Sequence, residues 1–364
     1  MPRPAEPGRA EPQTGFVHTF LPGRVVFGAG ALDRVAAEVE TVGVRRALVV
    51  ATKSARDAAD VVEVQLGDGF AGRIDGVAQH VPTAVAEHAR GKARDVSADG
   101  VIAIGGGSAI GLAKAVALTS EVVIVAVPTT YAGSEMTPVW GETAGGSKTT
   151  GSDLRVLPRV VVYDPVLSQH LPKKVTAASV ANAIAHCVEA VWTPKADPIT
   201  EATAVEGLRA LALGLRQVQT APTDLDARSN LLYGACLAGS ALATAGTGLH
   251  HKLCHLLGGT YNLPHAETHA AVLPQVARVN APAVPQAAVR LQDALSTAGA
   301  PDLATGLFDL FAAAEIPTSL KELGLTEEQA FEAAKAFKPT DNPIPVTEDL
   351  VREILTRAWA GTRP

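Results

Sequence analysis

Five of the chain's ten histidines fall between Gly248 and His269, in the stretch G-L-H-H-K-L-C-H-L-L-G-G-T-Y-N-L-P-H-A-E-T-H. His251 and His255 lie four residues apart and share a face of any helix that carries them. His265 follows Pro264, where a helix stops or restarts. Upstream, N-A-I-A-H gives Asn182 and His186 the same four-residue spacing. Two such pairs on two helices, with one histidine on a connection, describe a site lined by convergent imidazoles. Imidazoles polarise carbonyls, move protons near neutral pH and bind metals. His250 and His269 each double a better-placed neighbour and read equally well as satisfied core residues. For His186, His251, His255 and His265 together that bland reading fits poorly. An unpartnered buried polar group costs about 1–3 kcal/mol.

A second chemical feature is Gly105-Gly106-Gly107-Ser108, which ends the apolar run D-G-V-I-A-I and opens a helix-like segment. Successive glycines let the backbone approach a pyrophosphate, and a helix N-terminus offers free N–H groups. The pattern is not G-x-G-x-x-G, and a tight strand-to-helix turn would produce it too. Thr129, Thr130 and Ser134, after the next apolar run, are candidates to bond a ribose, phosphate or nicotinamide amide, or form an ordinary turn. Thr52, with Lys53 and Ser54, stands where an acidic ribose reader would exclude a 2′-phosphate, so both NADH and NADPH remain open.

These residues need a scaffold, and the first half of the chain alternates apolar runs with helical segments. Arg24–Gly30, Arg46–Thr52, Val77–Val81, Asp99–Gly105 and Glu121–Thr130 read as strands, with helices at Leu32–Val39 and Ala84–Val96. This alternation predicts a Rossmann-like parallel sheet covered by helices on both faces. From about Pro172 onward Ala- and Leu-rich helical patterns take over: Thr176–Trp192, Ile199–Gln217, Leu225–Thr244, Thr247–Leu257, Val284–Ala298, Leu303–Ala314 and Glu327–Phe337. The expected organisation is a disordered Pro-rich extension over 1–14, an α/β dinucleotide-binding domain over 15–170 and an all-α catalytic domain over 171–364.

Bulk composition excludes several classes. With 364 residues, 47% hydrophobic and 19% charged, the chain is long enough for two domains, and no apolar run approaches the roughly 18–20 residues of a membrane span. A net charge of −6 without basic blocks argues against nucleic-acid binding. Cys187, Cys236 and Cys254 lack CxxC spacing and read as buried apolar residues in a reducing compartment, which points to the cytoplasm.

The G-G-G-S turn, P-T-T-Y-A-G-S-E, V-V-Y-D-P at Val161–Pro165, N-A-I-A-H and the histidine-rich stretch together resemble the iron-containing (group III) alcohol dehydrogenase superfamily, from about Phe16 to Pro364. R-V-V-F-G-A-G, H-V-P at His80–Pro82, H-H-K-L-C-H, L-P-H-A-E-T-H and N-P-x-P at Asn342–Pro345 are most similar to its maleylacetate reductase branch. The resemblance implies a dehydroquinate synthase-like architecture, an active site between the two domains, a nicotinamide cofactor and a homodimer, for which the R-V-V-F-G strand is a candidate for sheet pairing. In metal-dependent members an Asp and three His bind Fe²⁺ or Zn²⁺. By motif those positions are Asn182, His186, His251 and His265, and His255 matches a further active-site histidine.

Asn182, as in the maleylacetate reductases, removes the one negative charge of that set. Metal binding should weaken, and a histidine cluster free to carry protons becomes a receptor for a dicarboxylate. The implied reaction is NADH- or NADPH-dependent reduction of maleylacetate, or a close 4-oxo-2-enedioate, to 3-oxoadipate in aromatic compound catabolism, with metal absent. His251 and His265 are expected to polarise the ketone and donate the proton. His186 and Asn182 would position the substrate, and His255 would sit near the nicotinamide or the proton path. Lys252 and Lys148 are weaker candidates for a carboxylate contact. A metal-dependent dehydrogenase of small alcohols is the alternative, with Asn182 against it. The chain departs from the branch's usual pattern at S-V-A-N-A (Ser179–Ala183), at Gln275 and at Ile344, where Arg is usual.

Overall fold

The computed structural model describes residues 15–364 except Gly146, with the side chains of Ser147 and Lys148 also outside the described set. The extension expected over 1–14 and the Lys148 side chain therefore lie outside the described residues.

Six strands form one parallel sheet: β1 (Arg24–Phe27), β2 (Ala47–Ala51), β3 (Phe70–Ile74), β4 (Gly100–Gly105), β5 (Val123–Pro128) and β8 (Val160–Tyr163). Their order is β1-β8-β5-β4-β2-β3. The central strands are apolar throughout because both faces are covered. Alternation splits their side chains between two cores. Ala47, Val49, Ala51, Ile102 and Ile104 pack towards α1 (Val35–Thr41) and α2 (Arg56–Leu66). Leu48, Val50, Val101 and Ala103 face α3 (Thr83–Asp95) and α4 (Gly107–Leu118), in a core that continues without a break into the C-terminal helices. The Rossmann-like sheet and the all-helical region expected from the sequence are both present.

The strand read at Val77–Val81 is absent. The edge strand is β3, whose Gly72 and Arg73 interrupt the apolar pattern, while His80 and Val81 adopt φ values of 61° and 47° that no strand accommodates. An antiparallel hairpin, β6 (Val139–Ala144) with β7 (Ser147–Ser152), was likewise not legible.

Among the described residues the C-terminal region holds nine α-helices, centred on α5 (Lys173–Ala190), in which all residues from Val180 to Ala190 are buried. The others include α6 (Pro198–Thr220), α7 (Leu225–Ala245), α8 (Leu249–Tyr261) and α9 (His265–Asn280), then α10 (Pro285–Leu295), α11 (Leu303–Ala313), α12 (Glu327–Ala336) and α13 (Glu348–Ala360). Among the described residues no single helix is long and apolar enough to cross a membrane. Fully buried Arg228 donates to Tyr131 Oη (2.9 Å), Thr176 Oγ1 (2.8 Å) and the Leu171 carbonyl (3.0 Å). Tyr131 N also donates to Ser179 Oγ at 2.9 Å. The threonine-rich turn after β5 is thereby fixed against α5, the helix that carries the first histidine.

Candidate active site

The strand order reverses between β2 and β4: β3 lies to one side of this pair, β5 and β8 to the other. Ligands of open parallel sheets bind beyond the C-terminal strand ends at such a switch point. Thr52 follows β2 there and Gly105 ends β4, with Thr52 N donating to the Ile104 carbonyl at 3.1 Å. A Cβ on Gly105, whose φ is 147°, would come within 2.7 Å of Thr52 Cγ2. One on Gly106 would meet Thr130 at 3.0 Å, and Thr129 N donates to the Gly105 carbonyl at 3.0 Å. No side chain caps α4, which opens at Gly107-Ser108, so its first N–H groups remain available to an anion. This cradle, closed to any side chain at 105 and 106, fits a dinucleotide pyrophosphate. Ser134 makes a different contact. Its carbonyl accepts from the buried Lys114 ammonium at 2.7 Å, which also reaches the Thr137 and Val139 carbonyls, so it anchors the loop onto α4.

The histidines come together from three helices. His186 on α5 and His251 on α8 stack at 5.0 Å between ring centroids, and His255 on α8 stacks with His265 on α9 at 5.7 Å. His251 lies 4.8 Å from His269 and 6.3 Å from His255. His250 and His269, open between two readings in the sequence, belong to the cluster. His250 Nε2 and His269 Nδ1 are 2.7 Å apart, and His269 Nε2 and His265 Nε2 3.2 Å. Each such contact needs one donor and one acceptor, so neutral rings along this chain must set their tautomers together.

Glu189 is the main group that sequence reasoning missed. Fully buried on α5, it accepts from the His250 backbone N–H at 2.7 Å through Oε1 and binds His251 Nδ1 through Oε2. It thus caps the N-terminus of α8 from another helix, where the helix dipole favours an anion, while orienting the His251 ring. Burial pushes its carboxyl up, but His251, His250 and the Gly248 backbone outweigh this and hold it at about 2. Its spacing was the available signal: Asn182, His186 and Glu189 stand at i, i+4 and i+7 on one helix face. Burial, then repulsion from neighbouring imidazoles, holds His186 and His269 well below the ordinary histidine range; burial and His251 bring His250 down to about 3.

Three buried atoms in the cluster have no hydrogen-bond partner: Asn182 Oδ1, His186 Nδ1 and His251 Nε2. Leaving such groups unmatched costs about 1–3 kcal/mol each, so the site is built for a guest that bonds to them. Atom types alone suit a divalent cation held by Asn182, His186, His251 and His265. That set carries no negative charge, and the Glu189 carboxylate is engaged on the far nitrogen of His251. His250, Cys254 and His269 also bring ligand-type atoms within 4.8 Å of one another, but burial holds the Cys254 thiol far above its usual range and therefore protonated.

A cleft of about 500 Å³ opens beside the cluster, lined by His255 and His265 on one side and by Asn262, Thr260, Thr143, Thr150 and His80 around the rest. Its described lining contains no acidic side chain. Lys252 does not face it: the ammonium donates to Thr340 Oγ1. Ile344 likewise supplies no cation. His80 and Val81 form a strained corner of this cleft, since a β-branched residue at positive φ costs on the order of 1–3 kcal/mol.

The iron-containing alcohol dehydrogenase family model matches residues 22–165, and the C-terminal model of the Fe-containing alcohol dehydrogenase family matches 176–359. A maleylacetate reductase of Sphingobium indicum is 46% identical over 351 residues, covering 96% of this chain and 99% of that protein. The crystal structure of maleylacetate reductase from Agrobacterium tumefaciens superposes with a TM-score of 0.92 at 40% identity, covering 97% of this chain and 100% of the other. That of maleylacetate reductase from Rhizobium sp. gives 0.92 at 41%, with the same coverage. With the cofactor cradle at the switch point and the histidine-lined cleft beside it, these matches establish that the chain belongs to the iron-containing alcohol dehydrogenase family and is an NAD(P)-dependent oxidoreductase.

Proposed function

We propose that this enzyme reduces maleylacetate, or a close 4-oxo-2-enedioate, to 3-oxoadipate with NADH or NADPH, in the cytoplasm, as a step in aromatic compound catabolism. One observation carries the reading at the site. The cleft presents histidines and hydroxyls and no acidic side chain among its described lining, which suits a dianionic keto acid. The identity to maleylacetate reductases along nearly the whole chain supports the same substrate class.

Gly105–Ser108, Thr52, Thr129 and Thr130, with Ser134 holding the adjoining loop, would hold the reduced nicotinamide cofactor, which would supply the hydride for the alkene carbon remote from the ketone. Negative charge then gathers on the ketone oxygen as an enolate. His251, oriented by Glu189, stabilises that oxygen through an N–H, the arrangement that contributes most when preorganised in a dry site. His265 delivers a proton to the carbon beside the carbonyl, completing the saturated product. Asn182 and His186 hold the substrate, and His255 would sit near the nicotinamide or on the proton path.

The reaction is read as metal-independent, because the four candidate ligands bring no charge to a dication. The three unpartnered buried atoms favour a second reading, in which Asn182, His186, His251 and His265 hold Zn²⁺ or Fe²⁺ and the ion supplies Lewis-acid polarisation. Assaying NADH and NADPH oxidation against maleylacetate and a panel of small aldehydes separates the two. Turnover of maleylacetate alone supports the reductase; turnover of aldehydes alone supports the dehydrogenase.

Homodimer formation is part of the proposal. β1 is an edge strand, and Val25 and Phe27 are about two-fifths exposed, with Phe20 exposed in the same cleft as Val25. An uncovered apolar edge of this kind invites pairing with a second copy. Sedimentation should give twice the chain mass, and a Val25→Lys substitution should shift it to monomer.

A further inference from the structure

In the proposed reaction the histidine cluster engages one end of the substrate. The enone meets His251 and His265, but a dicarboxylate has two charged termini, and the described cleft lining contains neither Lys nor Arg. Lys252 is turned to Thr340, and Ile344 is apolar.

Among the described lining, the far side of the cleft offers one side chain with a ring N–H for a carboxylate, His80. His80 lines the cleft together with Thr143 and Thr150 of the β6–β7 hairpin, and it is solvent-exposed. Its backbone is held in the left-handed region at φ 61°, followed by Val81 at 47°. Relaxed chain would not choose two consecutive non-glycine residues there, least of all a β-branched one, and such strain persists only where surrounding contacts impose it. Those contacts are present. The Thr143 hydroxyl donates to the His80 carbonyl at 2.8 Å, and Thr143 N donates to the Val81 carbonyl at 3.1 Å. Val81 is buried against α4, where Gly111 leaves it room: a Cβ there would lie 2.9 Å from Val81 Cγ2. The corner is therefore fixed between the helix of the cofactor turn and the hairpin.

Resting on the proposed dicarboxylate substrate, we propose that this corner exists to present His80 as the receptor for the substrate carboxylate farther from the histidine cluster, with the Thr150 hydroxyl as its neutral partner and Thr143 holding the His80 backbone in place. His80 acts in binding, and the hydride and proton steps remain with the other histidines.

The test is His80→Asn, chosen because Asn tolerates the left-handed backbone and preserves the corner. KM for maleylacetate should rise about 10- to 100-fold, the size of one lost hydrogen bond to a charged group, while kcat and the cofactor KM stay within about threefold. Calorimetric binding of 3-oxoadipate should weaken by the same factor. Two enone acids, each lacking one terminal carboxylate, should split: the penalty persists with one and vanishes with the other. Unchanged KM and unchanged 3-oxoadipate affinity in the variant would overturn the assignment, as would an equal penalty with both monoacids. If the wild-type enzyme binds 3-oxoadipate without reducing maleylacetate, the reaction assignment fails while the binding comparison still decides the role of His80.

Discussion

Replacing Glu189 by Gln removes the one charge that organises the histidine cluster and keeps the side chain's shape. Two bonds are affected: the one to His251 Nδ1 and the one from His250 N at the start of α8. Its carboxyl is held at about 2 against an ordinary 4.5. At about 1.36 kcal/mol per unit, this depression corresponds to roughly 3 kcal/mol of stability. The sign follows from the direction. A folded-state value below the unfolded one gives stability fully present above about pH 4.5 and lost as pH falls towards 2. The variant should therefore be about 3 kcal/mol less stable than the wild type by urea unfolding at pH 7, with the gap narrowing below pH 4.5. In catalysis, an amide can present either an oxygen or an N–H to His251, so the ring tautomer is no longer fixed. A loss of about 100-fold in kcat, with a smaller change in KM, is expected at the scale of a misplaced acid–base group. A variant with wild-type kcat and wild-type unfolding at pH 7 would refute the orienting role.

Other perturbations probe the remaining parts. His186, His250 and His269 are held below the ordinary histidine range, so the unfolded chain takes up protons below about pH 6.5 that the folded one refuses, and stability falls as pH drops from there. His269→Asn should flatten that slope by about 1.4 kcal/mol per pH unit, read from urea midpoints at several pH values between 7 and 5. Gly106→Ala forces a methyl to within 3.0 Å of Thr130 and should raise the cofactor KM about tenfold and lower the melting temperature by a few degrees, measured by steady-state kinetics and thermal unfolding. Asn182→Asp restores a charge to the donor set and should raise Zn²⁺ affinity by about 100-fold, equivalent to ~3 kcal/mol, measured by competition with a chelating dye.

Much of this architecture was legible because it rests on local rules. The buried parallel strands are continuous apolar runs, and Gly105–Gly107 marks a strand-to-helix passage that cannot tolerate side chains at its first two positions. The i,i+4 spacing of Asn182 with His186 and of His251 with His255 placed them correctly on α5 and α8. What escaped depends on partners distant in the chain. Glu189 gains its role only when α8 arrives beside α5, and His250 and His269 become cluster members only once α9 packs against α8. α9 itself was hidden by Pro274, which normally argues against a helix interior yet is buried inside this one. The His80–Val81 corner looked like a strand because Val81 is apolar and buried; its backbone is set by Thr143, sixty-odd residues away.

In the proposed mechanism imidazoles organised by Glu189 carry the reduction without a metal ion. Maleylacetate-dependent oxidation of NADH, followed in enzyme stripped by chelator and verified free of metal, tests it most directly. Undiminished turnover is the predicted result. Activity that disappears on stripping and returns with Zn²⁺ or Fe²⁺ would contradict the claim and make Asn182, His186, His251 and His265 the ligands of a catalytic ion.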